Sequence, residues 1–178
     1  IYETLSEITI VDGGEITYTP SEYENFDARA LFGQLESAQE SLDETTPTGE
    51  PPSKELEAAQ GSIILTEIRL TIYGRLHDIA NSESKFISLA ESERFSDAAS
   101  TLEDSLNWAS EINQVSQAAI EAVTRFEANE LPTPDLYSLS AIESEAKAFS
   151  EPTPITVPIS ALQGWTSGLQ DGITASLL

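Results

Sequence analysis

Along most of this chain the apolar residues recur at alternating steps of three and four, the period of a helix with one buried face. Ala28, Leu31, Leu35, Ala38 and Leu42 trace the first such face. It follows Pro20 and a capping box of Ser21 and Glu24, and it stops near Thr45 at the Thr-Pro-Thr-Gly-Glu-Pro-Pro loop. Ser53 caps the next helix, whose buried stripe is Leu65, Ile68, Ile72, Leu76 and Ile79. Ile68, Leu70 and Ile72 also alternate like a strand, but length and the lack of turn residues favour a helix. A turn is predicted around Asn81 to Ser84, then a short helix through Ala90. Residues 93–130 form the longest predicted helix. One stripe runs Phe95, Ala98, Leu102, Leu106 and Ala109, and a second runs Trp108, Ile112, Val115, Ala119, Ala122 and Phe126. Two stripes imply burial on two sides, as for a central member of a bundle. Pro132 and Pro134 end it, and residues 135–150 follow as a helix with Leu139, Ile142, Ala146 and Phe149 facing inward.

The two ends depart from this pattern. In residues 1–20, Ile8, Ile10, Ile16 and Tyr18 alternate on either side of Asp12-Gly13-Gly14, which predicts a β-hairpin. Such a hairpin is marginal alone and needs to pack on the body or pair elsewhere. Residues 152–178 carry one charged residue, Asp171, whereas residues 1–151 carry the other thirty-eight. Pro158 suits a first helical turn. Leu162, Trp165, Leu169, Ile173 and Leu177 form one stripe, and Gly164, Gly168 and Gly172 form another. Each glycine inside a helix costs about 1 kcal/mol relative to alanine, so three on one face imply close approach by another helix. That helix belongs either to this chain or to a partner. The expected fold is therefore mainly α: an antiparallel bundle of about five helices with an N-terminal β-hairpin. Its parts are a hairpin over 1–20, an acidic bundle over 21–151 and an uncharged C-terminal helix over 152–178.

Charge changes the picture. Thirty-one acids oppose eight bases, a formal charge of -23, in a chain that is still 39% hydrophobic and so able to fold. Glu36, Glu40 and Glu44 stand four apart, as do Glu3 and Glu7. Each like-charge pair on a helix costs roughly 0.2–0.5 kcal/mol at low ionic strength. In about 1 M salt the Debye length falls to about 3 Å and the penalty largely disappears. Because the acids are spread along the chain, and only Lys54, Lys85 and Lys147 are lysines, the composition resembles that of proteins from extreme halophiles, archaeal or viral. An ordinary acidic protein with an interaction tail is the alternative. No basic patch exists to meet nucleic acid or an anionic membrane.

The chain has no Cys and no Met and begins at Ile1, which fits either a processed product that has lost a leader or a truncated chain. It holds no Asn-x-Ser/Thr acceptor and no run of eighteen apolar residues, so no transmembrane span is expected.

Candidate chemistry is sparse. His77 is the single histidine, which rules out paired Glu-x-x-His di-iron ligands. No nucleophile elbow is present; Gly164-Trp165-Thr166-Ser167-Gly168 places threonine at the centre, inside a predicted helix. Asp12-Gly13-Gly14-Glu15 is too short for a calcium loop, and no phosphate-binding glycine loop precedes a lysine. A paired-carboxylate hydrolase would be invisible among thirty-one acids. Phe86 to Ala90, Arg94 to Ala98 and Leu102 to Leu106 resemble the helix-turn-helix seam of a tetratricopeptide repeat. The likeness covers about twenty residues without a second copy at the repeat period, and any antiparallel helix pair gives the same pattern.

These readings converge on a non-enzymatic, extracytoplasmic interaction or structural protein of an extreme halophile, a cell-surface lipoprotein domain or a virion component. It would use no cofactor and no metal, and would bind a protein partner or self-assemble. The expected interaction residues are Gly164, Gly168, Gly172, Trp165 and Leu169 at one end and Ile8 and Ile10 at the other. The alternative is a small-ligand-binding helical domain or enzyme accessory subunit, with a pocket lined by aromatics such as Tyr73, Trp108 or Trp165.

Overall fold

A computed structural model of the chain describes residues 11–12, 15–16, 27–45, 51–133 and 138–150. These residues are mainly helical: α1 (Ala28–Thr45), α2 (Lys54–Glu91), α3 (Phe95–Ala128) and α4 (Leu139–Ser150). Two short strands, β1 (Val11–Asp12) and β2 (Glu15–Ile16), pair antiparallel with Val11 opposite Ile16. Two residues a side do not make the predicted hairpin. The rest of 1–20, including Ile8, Ile10 and Tyr18, lies outside the described residues, as does all of 152–178.

Helix starts follow local side-chain chemistry. Asp27 caps α1, its Oδ1 accepting the Ala30 N–H at 3.0 Å; the Ser21–Glu24 box lies outside the described residues. Ser53 caps α2 through the Leu56 N–H at 3.3 Å, and Ser138 caps α4 through the Ala141 N–H at 3.3 Å.

Both long helices end in the same device. Arg94 N–H reaches back to the Leu89 carbonyl at 2.9 Å, and Leu131 N–H to the Phe126 carbonyl at 3.0 Å. These are the six-to-one bonds of Schellman motifs. The left-handed position between is filled by Glu93 (φ 58) and Glu130 (φ 50), where glycine is the usual choice.

α2 and α3 form an antiparallel hairpin that is the spine of the molecule. Ala58, Leu65, Ile72, Ile79 and Phe86 on α2 fall seven apart and are all buried, as are Ala98, Ser105, Ile112, Ala119 and Phe126 on α3. A strict seven-residue repeat keeps one seam in contact only if the pair coils left-handed. Ser82 meets Ser105 and Gly61 meets Phe126, so paired residue numbers hold one constant sum along the seam. α4 lies antiparallel to α3. Near its start Ile142 joins Leu65, Val123 and Phe126, and at its end the Phe149 and Ser150 carbonyls accept from Asn113 Nδ2 at 3.1 and 3.0 Å. α1 packs on α2 on another side, with Ala28 over Gly74 and Leu31 in the main core.

Two expectations change. No turn interrupts residues 81–84: α2 runs through, because Ser82 is buried and its hydroxyl is satisfied by the Ile79 carbonyl at 2.7 Å and by Ser105 Oγ at 2.6 Å. Ser82, within the polar stretch that reads as a turn, is part of the seam. On α3 the buried line is Ala98, Thr101, Ser105 and Ile112, and Leu106 is 52% exposed. Thr101 and Ser105 hydroxyls bond the carbonyls four residues back, at 3.0 and 3.1 Å, so they serve as small core residues. α3 is buried on two sides, against α2 and α4, as its two stripes imply, and α2 packs against both α1 and α3. That surrounding explains why Ile68, Leu70 and Ile72 are all buried in a helix although they alternate like a strand.

Candidate functional site

Two arrangements stand out among the described residues: a buried ion network between α2 and α4, and an open groove between α2 and α3.

The network begins with Arg69, one helical turn before Tyr73 on α2, facing Glu145 on α4. Arg69 Nε and Nη2 donate to Glu145 Oε2 and Oε1, both at 3.1 Å, and Nη2 also donates to Tyr73 Oη at 2.7 Å. Tyr73 Oη in turn lies 3.1 Å from both Glu145 oxygens. The Arg69 and Glu145 side chains keep 11% and 14% of their exposure, and Tyr73 keeps 1%. Burial pushes the Tyr73 phenol well above its ordinary range, with Arg69 opposing that rise. Burial alone would lower the Arg69 pKa, but the Tyr73 and Glu145 oxygens outweigh it and raise it. Arg69 Nε and Nη2, the Tyr73 hydroxyl and both Glu145 oxygens all bond within the triad. Its chemistry is therefore that of a clamp between helices rather than a reactive centre. A second, half-exposed network joins Arg75 of α2 to Glu111 of α3 at 2.7 Å and to Asp78 at 3.0 Å. The hydrogen bond that Arg75 donates to the Glu111 carboxylate is the main reason the Arg75 pKa is raised.

The groove lies on the other flank of the spine. Gly61 lets the Phe126 ring rest directly on the α2 backbone, and a Cβ there would overlap the ring edge. The gap beside that contact is a cavity of about 540 Å³, floored by Ile64, Ile68, Ala122 and Phe126 and rimmed by Glu121 and Arg125. Ile64, next to three other apolar groups, is 46% exposed. Ala118 at one end and Leu131 at the other set its length. The floor is apolar, and the rim carries charge of both signs together with the Gln60 and Asn129 amides.

The structure locates the residues singled out in the sequence unevenly. Gly164, Gly168, Gly172, Trp165, Leu169, Ile8 and Ile10 all lie outside the described residues. Tyr73 is locked in the triad and Trp108 packs against the main core, so neither lines the groove. His77 is half-buried on α2. Among the described residues no three acids or histidines converge as a metal site, and no helix is long and apolar enough to cross a membrane. Neither Arg69–Glu145 nor the Gly61–Phe126 groove was legible beforehand. The available signals were an arginine inside an otherwise apolar stretch and a glycine at a seam position of a long helix.

No known sequence family, characterised protein or solved structure matches the chain. The tetratricopeptide likeness is not carried further by the fold. That repeat fits two helices into about 34 residues, whereas α2 and α3 are 38 and 34 residues each.

Proposed function

We propose that this chain is a non-enzymatic interaction or structural protein of an extreme halophile, acting outside the cytoplasm as a cell-surface lipoprotein domain or a virion component. The observation that carries the reading is how the folded chain spends its charge. Glu36, Glu40 and Glu44 are all exposed on one ladder of α1, with no base in the last turn of that helix. Two of the five arginines go instead to contacts between helices, Arg69 to α4 and Arg75 to α3. A surface arranged this way gains from concentrated counterions. In this reading a hairpin at the N-terminus and a fifth helix at the C-terminus complete the bundle, and the apolar ends meet the partner.

Chemical unfolding at rising NaCl, with light scattering at ~2–3 M salt where screening is nearly complete, tests both halves. Stability should climb steeply with salt and the chain should self-associate or capture a protein. An unfolding curve unchanged from ~0.1 to ~3 M salt removes the halophilic half, and a strict monomer with both ends buried removes the interaction half. The cavity of about 540 Å³ supports the second reading, a small-ligand-binding domain, because it falls within the size range of small-molecule sites. Thermal-shift screening with apolar ligands at high salt separates the two.

A further inference from the structure

α4 packs along one flank of the α2–α3 spine, and none of its residues lines the cavity beside Gly61. That cavity follows α2 from Glu57 to Ile68, about 16 Å of helix. Its floor is apolar, with Ile64 standing open on it, and its rim sets two carboxylates, Glu57 and Glu121, against one guanidinium, Arg125. We infer that the cavity binds a small organic cation, an apolar body that carries one ammonium group. The inference rests on the small-ligand reading above and names the class of ligand.

Size, charge and hydrogen bonding select this occupant. A volume of about 540 Å³ lies in the range of small-molecule sites, roughly 300–1,000 Å³. An α-helix laid along the same length would occupy about 1,250 Å³ and stand mostly outside it. The rim charges are not spent elsewhere: among the described residues, no ion pair takes up Glu57, Glu121 or Arg125, and the nearby Lys54 is held by Glu130 at 3.8 Å. One ammonium balances the surplus carboxylate. A carboxylate ligand would instead face two anions, and a second copy of the chain would bring another surface of net charge -23. A neutral apolar body would strip water from Glu57 and Glu121 and return no hydrogen bond. An ammonium has three donors, and the two carboxylates with the Gln60 and Asn129 amide oxygens supply acceptors around the mouth.

Phenylbutylamine, phenylbutanol and phenylbutanoate share an apolar body and differ in the charge of the end group. Each is titrated into the full chain in ~2 M NaCl, where the long-range pull of a -23 surface on any cation is screened, while NMR follows the Ile64 and Ile68 methyl signals. The amine should bind at least about fivefold tighter than the alcohol, and the carboxylate most weakly. The methyl of Ile87, as exposed as Ile64 but near the far end of α2, should not move. Glu57→Gln with Glu121→Gln should erase the preference for the amine and leave alcohol binding unchanged. Ala122→Leu, which fills the floor, should abolish binding of all three with helicity retained by circular dichroism. If none of the three binds, the small-ligand reading falls and the inference with it. If the alcohol or the carboxylate binds as tightly as the amine, the cavity remains a ligand site and the cation assignment is overturned. Movement of Ile87 in step with Ile64 would mark indiscriminate adhesion to exposed apolar side chains and overturn it as well.

Discussion

Removing one carboxylate from the α2–α4 clamp isolates what holds the short fourth helix in place. In Glu145→Gln the Arg69 guanidinium stays buried, its side chain only 11% exposed, with its counter-charge gone. Breaking one partner of a buried pair costs about 3–5 kcal/mol, because the remaining charge keeps its desolvation penalty. Against a total stability of about 5–15 kcal/mol that is a large fraction. For a chain of this size it lowers Tm by roughly 6–20 °C. Tyr73→Phe keeps the ion pair and removes only the hydroxyl that Arg69 Nη2 and Glu145 share, a loss of about 1.5–3 kcal/mol for a bond to a charged group. Replacing both charges, Arg69→Met with Glu145→Leu, leaves no orphan and should recover most of the deficit. The assay is urea unfolding of wild type, both singles and the double replacement at fixed high salt, repeated at lower salt. The Glu145→Gln deficit should stay nearly constant, since buried pairs are weakly screened, while wild-type stability itself moves with salt. A deficit under about 1 kcal/mol, the value of an exposed pair, would refute the clamp.

Ser116→Ala should stabilise by about 1 kcal/mol in the same assay, because the buried Ser116 hydroxyl has no hydrogen-bond partner and alanine is the better helix former. Glu93→Gly and Glu130→Gly should each stabilise by about 0.5–1 kcal/mol, measured by Tm, since glycine relieves a left-handed residue and removes an anion from the negative end of a helix. Alkaline titration should show a falling advantage of wild type over Tyr73→Phe above pH ~10. There the unfolded phenol has lost its proton while the buried one keeps it, so unfolding releases a proton and stability drops with pH. A constant difference across that range would show that Tyr73 ionises at its ordinary pKa.

The helical class was readable because apolar spacing reports which faces are buried, and Leu65, Ile72, Leu76, Ile79, Ile142 and Phe149 are buried as their spacing implies. What the spacing hid was the identity of the seam on α3. Periodicity counts large apolar residues, so Leu102 and Leu106 outweighed Thr101 and Ser105, yet the latter pair faces α2. The same blindness turned Asn81 to Ser84 into a turn, since a serine hydroxyl reads as solvent-facing until its partner across the interface is known. Ser105, far along the chain, is that partner. The groove was hidden for a related reason: Gly61 reads as a helix weakness, and only the ring of Phe126 lying on it shows a reason for glycine. The clamp needed the pairing of residues seventy-six apart.

The seam bears on the proposed adaptation to salt. Ala58, Gly61, Ser82, Ala98, Thr101, Ser105 and Ala119 share the α2–α3 interface with Leu65, Ile72, Ile79, Phe86, Ile112 and Phe126. Small residues let the helices approach closely but remove less apolar area from water than leucine would. At roughly 25 cal/mol per Å² such a seam supplies a modest driving force. The outer carboxylates work against even that at low ionic strength. Concentrated salt reverses both deficits by different physics: counterions screen the surface, and excluded salts strengthen the burial of whatever apolar area there is. The buried Arg69–Glu145 clamp is the contact least altered by either effect, and so it can fix the position of α4 where the small residues only bring helices near.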